Sequence, residues 1–183
     1  MNIWHDFDPA EITPNDFTAV VEIPKGSSCK YELDKKTGLV RLDRVLYTAT
    51  HYPANYGFIP RTYADDGDPL DVLVLCTEPL YPLTLVQVTP IGAMRMIDGG
   101  KLDDKIIAVP FSDPTYTGVQ SMDELPEHVF AEIRHFFTVY KQLENKQTAV
   151  REMFTRDEAI EIIREAIHAY DVTFGDRKGA TQA

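Results

Sequence analysis

The stretch Ser28-Cys29-Lys30-Tyr31-Glu32-Leu33-Asp34 decides the fold class, because apolar and polar side chains alternate along it. A period of two is typical of a half-buried β-strand that turns one face toward the core. Residues 35–38 then supply a turn that ends in Gly38, and residues 39–46 form the expected return strand. The sequence therefore predicts a β-hairpin at this position.

Short strand-like runs recur through the first two-thirds of the chain and are separated by turn-forming residues. They cover residues 18–23, 70–76, 83–96 and 105–109, and the third run is interrupted by Pro90 and Gly92. Many short antiparallel strands of this kind indicate a sandwich or a small barrel.

The last third of the chain instead shows the apolar spacing of helices. Pro126 suits a first helical turn, and Thr155 with Glu158 predicts a capping box at the start of a second helix. The apolar stripes of the two helices are Val129, Ile133, Phe136, Phe137 and Tyr140, and Ile160, Ile163, Ile167 and Tyr170, with Gly175 beyond the end of the second. We expect an α+β domain that is mainly β with two packed helices.

The size and composition suit one globular domain, since the chain has 183 residues and 44% of them are hydrophobic. We expect this domain to cover residues 1–175 and the polar residues 176–183 to form a mobile tail. The sequence shows neither a signal peptide nor an apolar run of membrane-spanning length, so the expected location is the cytoplasm, with no membrane partner. Cys29 and Cys76 lack metal-ligand spacing and are expected to be buried, reduced thiols.

The formal net charge of −11 limits the choice of ligand. A nucleic-acid binder normally carries a basic face, so the charge argues against a non-catalytic OB-type module and against a nucleic-acid partner. An acidic protein can still bind an anionic phosphate when divalent cations supply the positive charge. The charge alone does not decide the matter, because acidic surfaces also favour solubility.

The most informative loop is Asp65-Asp66-Gly67-Asp68-Pro69-Leu70-Asp71, which places four carboxylates within seven residues. Crowded carboxylates repel one another, and a bound cation such as Mg²⁺, which prefers oxygen ligands, removes that cost. Gly67 and Pro69 favour a tight turn, so a solvated acidic turn remains the alternative. An EF-hand calcium loop is excluded, because Thr77 stands where its final glutamate is required.

A second acidic group, Asp98, Asp103 and Asp104, lies between two predicted strands, where turn composition alone indicates a hairpin loop. Phosphoryl transfer also needs hydrogen-bond donors for the phosphate oxygens. Candidate donors are Lys30, Arg44, Tyr52, Tyr56, Tyr140 and Lys141. Taken singly, Lys30 with Glu32 is typical of a solvent-facing strand, and Tyr140 is typical of a core stripe.

Taken together, these segments resemble the family I soluble inorganic pyrophosphatases between about Val20 and Lys141. The resemblance rests on Val21-Glu22-Ile23-Pro24, Lys30-Tyr31-Glu32, Asp43-Arg44, Tyr52-Pro53-Ala54-Asn55-Tyr56-Gly57 and Asp66-Gly67-Asp68-Pro69-Leu70-Asp71-Val72-Leu73-Val74. The last string is the family's signature. The chain departs from the pattern at Gly99, where relatives often carry an acidic residue, and in residues 142–154, which lack a tryptophan-containing segment.

The resemblance implies a closed, OB-like five-stranded barrel with flanking helices. It also implies hydrolysis of pyrophosphate to two phosphates by direct attack of a metal-bound hydroxide, with several Mg²⁺ ions in each site and no covalent intermediate. Bacterial relatives are commonly hexamers, so a homohexamer is the expected assembly.

The resemblance further implies a role for each matching residue. Asp66, Asp71, Asp98 and Asp103 would bind Mg²⁺, with Asp71 bridging two ions, while Glu22 and Glu32 would belong to the outer metal site or hold its waters. Asp68 would orient or deprotonate the attacking water. The phosphate oxygens would be bound by Lys30, Arg44, Tyr56, Lys105, Tyr140 and Lys141, with Tyr52 supporting this network.

Overall fold

The computed structural model describes residues 2–175, and the expected tail at residues 176–183 lies outside the described residues. The strands are β1 (Phe17–Ile23), β2 (Cys29–Leu33), β3 (Val40–Val45), β4 (Asn55–Phe58), β5 (Asp71–Val74), β6 (Leu85–Asp98), β7 (Lys101–Pro110) and β8 (Thr148–Phe154). The α-helices within residues 2–175 are α1 (Glu127–Val139) and α2 (Arg156–Phe174). The mainly β architecture with two helices is therefore confirmed.

Six strands form one sheet in the order β1-β4-β5-β7-β6-β8. Strand β1 also pairs with β6, so the pairings that run from β1 through β4, β5, β7 and β6 return to β1. The expectation of antiparallel strands is wrong at one place, because β5 and β7 run parallel and set Asp71 beside Lys105. This parallel pair positions two charged residues of the candidate site.

The predicted hairpin is present, but it forms a separate two-stranded sheet of β2 and β3. Its register sets Cys29 opposite Val45 and Leu33 opposite Val40, with a shift after Lys30. A hydrogen bond from the Leu33 amide to Oε1 of Glu22, 2.6 Å long, joins the hairpin to β1. The hairpin is thus an appendage beside the main sheet rather than a part of it.

Pro90 and Gly92 do not interrupt the long run as expected, because β6 continues from Leu85 to Asp98. The register instead shifts between Pro90 and Gly92, and a bulge is a place where a strand tolerates proline. Gly92 is needed for packing, since a Cβ there would lie 2.6 Å from the sulfur of Met122 and 2.7 Å from the Phe154 carbonyl oxygen.

Successive side chains of the central strands belong to two different apolar clusters, as the pleat of a strand requires. On β5, Leu73 packs in the cluster that contains Phe137 of α1. Its neighbour Val72 packs in the cluster that contains Ile163 of α2. The two helices therefore cover opposite faces of the same strands.

The sequence signals at the helix starts agree with the structure. Pro126 directly precedes α1, and Thr155 and Glu158 form the predicted capping box of α2. Both cysteines are free as expected, but only Cys76 is fully buried, and Cys29 is only partly so. The expectation that Cys29 is buried is wrong, because its strand β2 belongs to the hairpin outside the main sheet.

Candidate active site

A cavity of about 270 Å³ lies where the hairpin, the acidic loop, the start of β7 and the end of α1 meet. All of the predicted site residues line it except Arg44 and Tyr52. The lining members of that set are Glu22, Lys30, Glu32, Tyr56, Asp66, Asp68, Asp71, Asp98, Asp103, Lys105, Tyr140 and Lys141. The fold thus gathers residues that are widely separated in sequence into one space.

The acidic loop is held in shape by its own backbone. Gly67 adopts a φ of 88°, a conformation that favours glycine. The Asp68 amide donates to Oδ1 of Asp66 at 3.0 Å, and the Asp68 carbonyl accepts from the Ala64 amide at 2.8 Å. This tight turn presents Asp66 and Asp68 to the cavity just before the chain enters β5.

Lys105 lies at the centre of the charged network. Its ammonium donates to Oδ2 of Asp71 at 2.7 Å, to Oδ1 of Asp103 at 2.9 Å and to the Tyr56 hydroxyl at 2.9 Å. The Tyr56 hydroxyl in turn donates to Oδ2 of Asp71. The parallel pairing of β5 with β7 creates this contact, because it places Asp71 and Lys105 side by side.

Three further lysines pair with carboxylates of the cavity wall. Lys141, just after α1, contacts Asp98, and Lys30 contacts Glu32 on the same hairpin strand. Lys35, in the hairpin turn, contacts Asp68. The cavity therefore carries both signs of charge, which a site for a highly charged anion and its cations requires.

Burial perturbs several of the cavity's carboxyl groups. It raises the pKa of Glu22 to about 8, and the negative charge of Asp71 adds to this effect. Burial also raises the pKa of Asp66 and of Asp103. The neighbouring ammonium groups thus do not fully offset the loss of solvation, which leaves a demand for more positive charge.

The buried phenols remain neutral proton donors over a wide pH range. Burial, followed by the charge of Asp71, raises the pKa of Tyr56 well above its usual value. Burial likewise raises the pKa of Tyr140. Neutral hydroxyls at these positions can donate hydrogen bonds to phosphate oxygens.

Two predicted site residues lie behind the cavity rather than on its wall. The Tyr52 ring packs 4.7 Å from the Phe136 ring and 5.6 Å from the Tyr56 ring, measured between centroids. Arg44 pairs with Asp43 and with Glu144, whose Oε1 is 2.8 Å from the arginine Nε. The structure therefore places Tyr52 in contact with a cavity residue and directs Arg44 toward two carboxylates.

Sequence reasoning missed several residues of the cavity wall, among them Trp4 and Lys35. Lys35 was interpreted only as part of a turn, although its charge close to an acidic motif was an available signal. Trp4 lies in the N-terminal segment, where no local pattern indicates contact with a site that is distant in sequence. Tyr31, Leu33, Phe58 and Pro69 complete the apolar part of the wall.

The donor chemistry of the cavity fits Mg²⁺. Within residues 2–175 no three Asp, Glu, His or Cys side chains stand close enough to hold one cation between them, and the ammonium groups of Lys105 and Lys141 occupy the carboxylates instead. Mg²⁺ commonly uses one or two carboxylates together with waters and substrate phosphates, and all ligands available here are oxygens. Burial raises the pKa of Asp66, Asp103 and Glu22, so a cation bound beside them would favour their ionised forms and find oxygen ligands there.

The helices of residues 2–175 are too short or too polar to cross a bilayer. A family model for inorganic pyrophosphatase matches residues 19–171 of the chain. The match thus spans most of the domain and includes all predicted site residues.

Individual proteins agree with that match. The chain is 46% identical to soluble inorganic pyrophosphatase 2 of Chlamydomonas reinhardtii over 175 residues, which cover 96% of this chain and 91% of the relative. It is 49% identical to soluble inorganic pyrophosphatase 1 of Arabidopsis thaliana over 167 residues, covering 91% and 79%. The crystal structure of an inorganic pyrophosphatase from Thermus thermophilus is similar with a TM-score of 0.87 and 41% identity, covering 93% of this chain and 99% of that one.

Proposed function

The chain belongs to the inorganic pyrophosphatase family and is an inorganic diphosphatase, and from this premise we propose that several Mg²⁺ ions serve its hydrolysis of pyrophosphate. The observation that carries the proposal is the cavity itself, where carboxylates, ammonium groups and phenols converge. Carboxylates suit the cations, and the ammonium and phenol groups suit the phosphate oxygens.

Asp66, Asp71, Asp98 and Asp103 would hold the ions, with Asp71 shared between two of them, and Glu22 and Glu32 would hold an outer ion or its waters. The ions would neutralise phosphate charge and lower the pKa of a bound water. Lys105 now lies between Asp71 and Asp103. This ammonium would also donate a hydrogen bond to a phosphate oxygen of the substrate.

Asp68 is proposed to accept the proton of the attacking water at its carboxylate. Its place at the tip of the acidic loop, on the cavity wall and half exposed, supports this role. Water attacks one phosphorus directly, and the other phosphate leaves without forming a bond to the protein. A positioned base of this kind is typically worth about 10²–10⁴-fold in rate.

The proposed phosphate-binding groups are Lys30, Tyr56, Lys105, Tyr140, Lys141 and Arg44. All but Arg44 line the cavity, and Arg44 would have to exchange its contacts with Asp43 and Glu144 for a phosphate oxygen. Tyr52 is proposed to support Tyr56 through ring packing. Binding both phosphates lets the site stabilise charge on the leaving group as well as on the reacting one.

The decisive experiment measures phosphate release from pyrophosphate with Mg²⁺ and with excess chelator. We expect release only with the metal, and weaker metal binding at acid pH because protons compete for the same carboxylates. Full turnover in excess chelator would refute the metal requirement. No release under any metal condition would refute the function itself.

We also propose that the domain is a closed, OB-like barrel and that the protein is a cytoplasmic homohexamer. The circuit of pairings that returns from β6 to β1 supports the barrel, and the hexamer rests on the family resemblance. Light scattering at working concentration tests the assembly, because a monomer of 20.7 kDa would contradict it.

A further inference from the structure

Lys35 lies outside the family residues considered above, yet it lines the cavity. It belongs to the turn between β2 and β3, and its ammonium forms an ion pair with the Asp68 carboxylate. The pair joins the tip of the outlying hairpin to the tip of the acidic loop. The hairpin strands β2 and β3 and the strand β5 that follows the acidic loop belong to different sheets.

The N-terminal segment fixes the position of the lysine. The Lys35 ammonium lies 4.8 Å from the centre of the Trp4 ring, within the range of a cation–π contact. Trp4 is buried, and its Nε1 donates to the Thr62 carbonyl at 2.9 Å. Its ring also packs against Phe174 of α2 with the centroids 5.4 Å apart. The buried Trp4 ring is therefore a rigid surface on which the flexible Lys35 side chain packs; we call this contact the seat of Lys35.

The Asp68 side chain needs such a partner. The backbone of the loop is fixed by the turn, but the Asp68 side chain is 55% exposed. An exposed carboxylate samples several rotamers unless a contact selects one. The Lys35 ammonium contacts this carboxylate from the hairpin side of the cavity.

We propose that Lys35, seated on Trp4, is a positioning residue that holds the Asp68 carboxylate in the orientation that accepts a proton from the attacking water. The inference rests on the proposed function of Asp68. It assigns a role to the hairpin turn and to the N-terminal segment, which are both remote from the acidic signature in sequence. Lys35 acts through Asp68, so it should affect the rate of turnover and not the binding of substrate.

Lys35→Met and Lys35→Arg test this role, with Lys36→Met as the matched control. Methionine keeps an unbranched chain without the charge, and arginine keeps both the charge and the contact with an aromatic face. Lys36 lies in the same turn, is exposed and is absent from the cavity wall. We expect Lys35→Met to lower kcat by about two- to fivefold with an unchanged KM, which is the size of effect that an exposed ion pair supplies.

Lys35→Arg should recover most of the rate, and Lys36→Met should match the starting protein. A raised KM with an unchanged kcat in Lys35→Met would show that the lysine binds substrate, which would overturn the positioning role. Equal kcat and KM in Lys35→Met and the starting protein would overturn it as well. Absence of pyrophosphate hydrolysis in the starting protein would instead reject the proposed function before any variant is compared.

A double-mutant cycle with Asp68→Asn tests whether Lys35 affects kcat through the Asp68 carboxylate. If Lys35 acts through the carboxylate, adding Lys35→Met to Asp68→Asn should cause no further loss of kcat. A second loss of the same size would overturn the inference, because the lysine would then act elsewhere. A normal rate for Asp68→Asn alone would reject the assignment of the base and, with it, the positioning role.

Trp4 is the sole tryptophan of the chain, so its fluorescence reports on the seat directly. Loss of the nearby ammonium in Lys35→Met should shift the emission of Trp4, while Lys36→Met should leave it unchanged. Coincident spectra for Lys35→Met and the starting protein would overturn the proposed seat.

Discussion

The ammonium of Lys105 lies 2.7 Å from Oδ2 of Asp71, its partner in the parallel register of β5 and β7. Burial alone would lower the pKa of Lys105, but Asp71 and Asp103 outweigh burial and raise the pKa well above its usual value. The lysine therefore stays charged inside the protein at all ordinary pH values. Its ammonium contacts Asp71 and Asp103, two of the carboxylates that are proposed to bind Mg²⁺.

Lys105→Met should destabilise the metal-free protein by about 3–5 kcal/mol, because it leaves Asp71 and Asp103 without their ammonium. Mg²⁺ should restore part of this loss, since a cation can take the place of the ammonium group. Urea unfolding with chelator and with Mg²⁺ measures both effects. Lys101→Met, at an exposed position of the same strand, is the control and should stay within about 0.5 kcal/mol. An equal loss in both conditions would mean that these carboxylates accept no cation.

Glu22→Gln should stabilise the metal-free protein increasingly as the pH rises. The pKa of Glu22 rises from 4.5 to about 8 on folding, so the stability that its proton supplies is complete below pH 4.5 and is lost as the pH rises through 8. Glutamine carries no charge and can still accept the Leu33 amide. The difference between the variant and the starting protein should grow by a few kcal/mol between pH 5 and pH 9.

Urea unfolding in chelator at several pH values measures that difference. Glu158→Gln is unsuitable as a control, because its carboxylate caps α2; Glu165→Gln, on the exposed side of α2, is preferable. A difference that does not change with pH would show that Glu22 is ionised throughout.

Gly57→Ala should destabilise the fold by about 3 kcal/mol, the upper end of the usual cost of overpacking. A Cβ at this position would lie 1.9 Å from the Val20 carbonyl oxygen and 2.9 Å from the Val21 Cα, and both are backbone atoms that cannot turn aside. Thermal or urea unfolding checks the result. Gly175→Ala, where no atom stands within 4 Å of the added group, should change stability by less than about 0.5 kcal/mol. Similar effects of the two substitutions would contradict the close pairing of β1 with β4.

The acidic loop and the helices could be predicted because their signals are local. Crowded carboxylates around Gly67 indicate a turn with a charge to neutralise, and Thr155 with Glu158 marks a helix start through contacts that span three residues. The hairpin followed from its alternating pattern for the same reason. Such features depend on neighbours in sequence, and tertiary packing does not override them here.

The remaining features depend on contacts between distant parts of the chain. β4 is buried along its whole length, so its short segment shows no alternation that would mark it as a strand. No local sequence pattern indicates that β5 pairs with β7 in parallel or that Lys35 packs on Trp4. The family resemblance indicated most residues of the cavity, but it did not indicate the ion pairs of Lys105 with Asp71 and Asp103.

Asp68 and Asp71 stand three residues apart but should fail in different ways when substituted. Asp71 accepts hydrogen bonds from Lys105 and Tyr56 and is proposed to bridge two cations. Asp71→Asn should therefore weaken Mg²⁺ binding, and added Mg²⁺ should restore part of the activity.

Asp68→Asn keeps the size and shape of the side chain but removes the proposed base. It should lower kcat by about 10²–10⁴-fold, keep near-normal Mg²⁺ affinity and resist rescue by added metal. The Asp68 side chain pairs with Lys35 and is half exposed, whereas Asp71 lies against the buried Lys105. The two substitutions should therefore differ clearly in their effects on kcat and on Mg²⁺ affinity. Calorimetric Mg²⁺ titration beside initial rates distinguishes the two variants. If Asp68→Asn instead lost its metal and recovered fully in excess Mg²⁺, Asp68 would be a ligand, and another group would have to accept the proton of the attacking water.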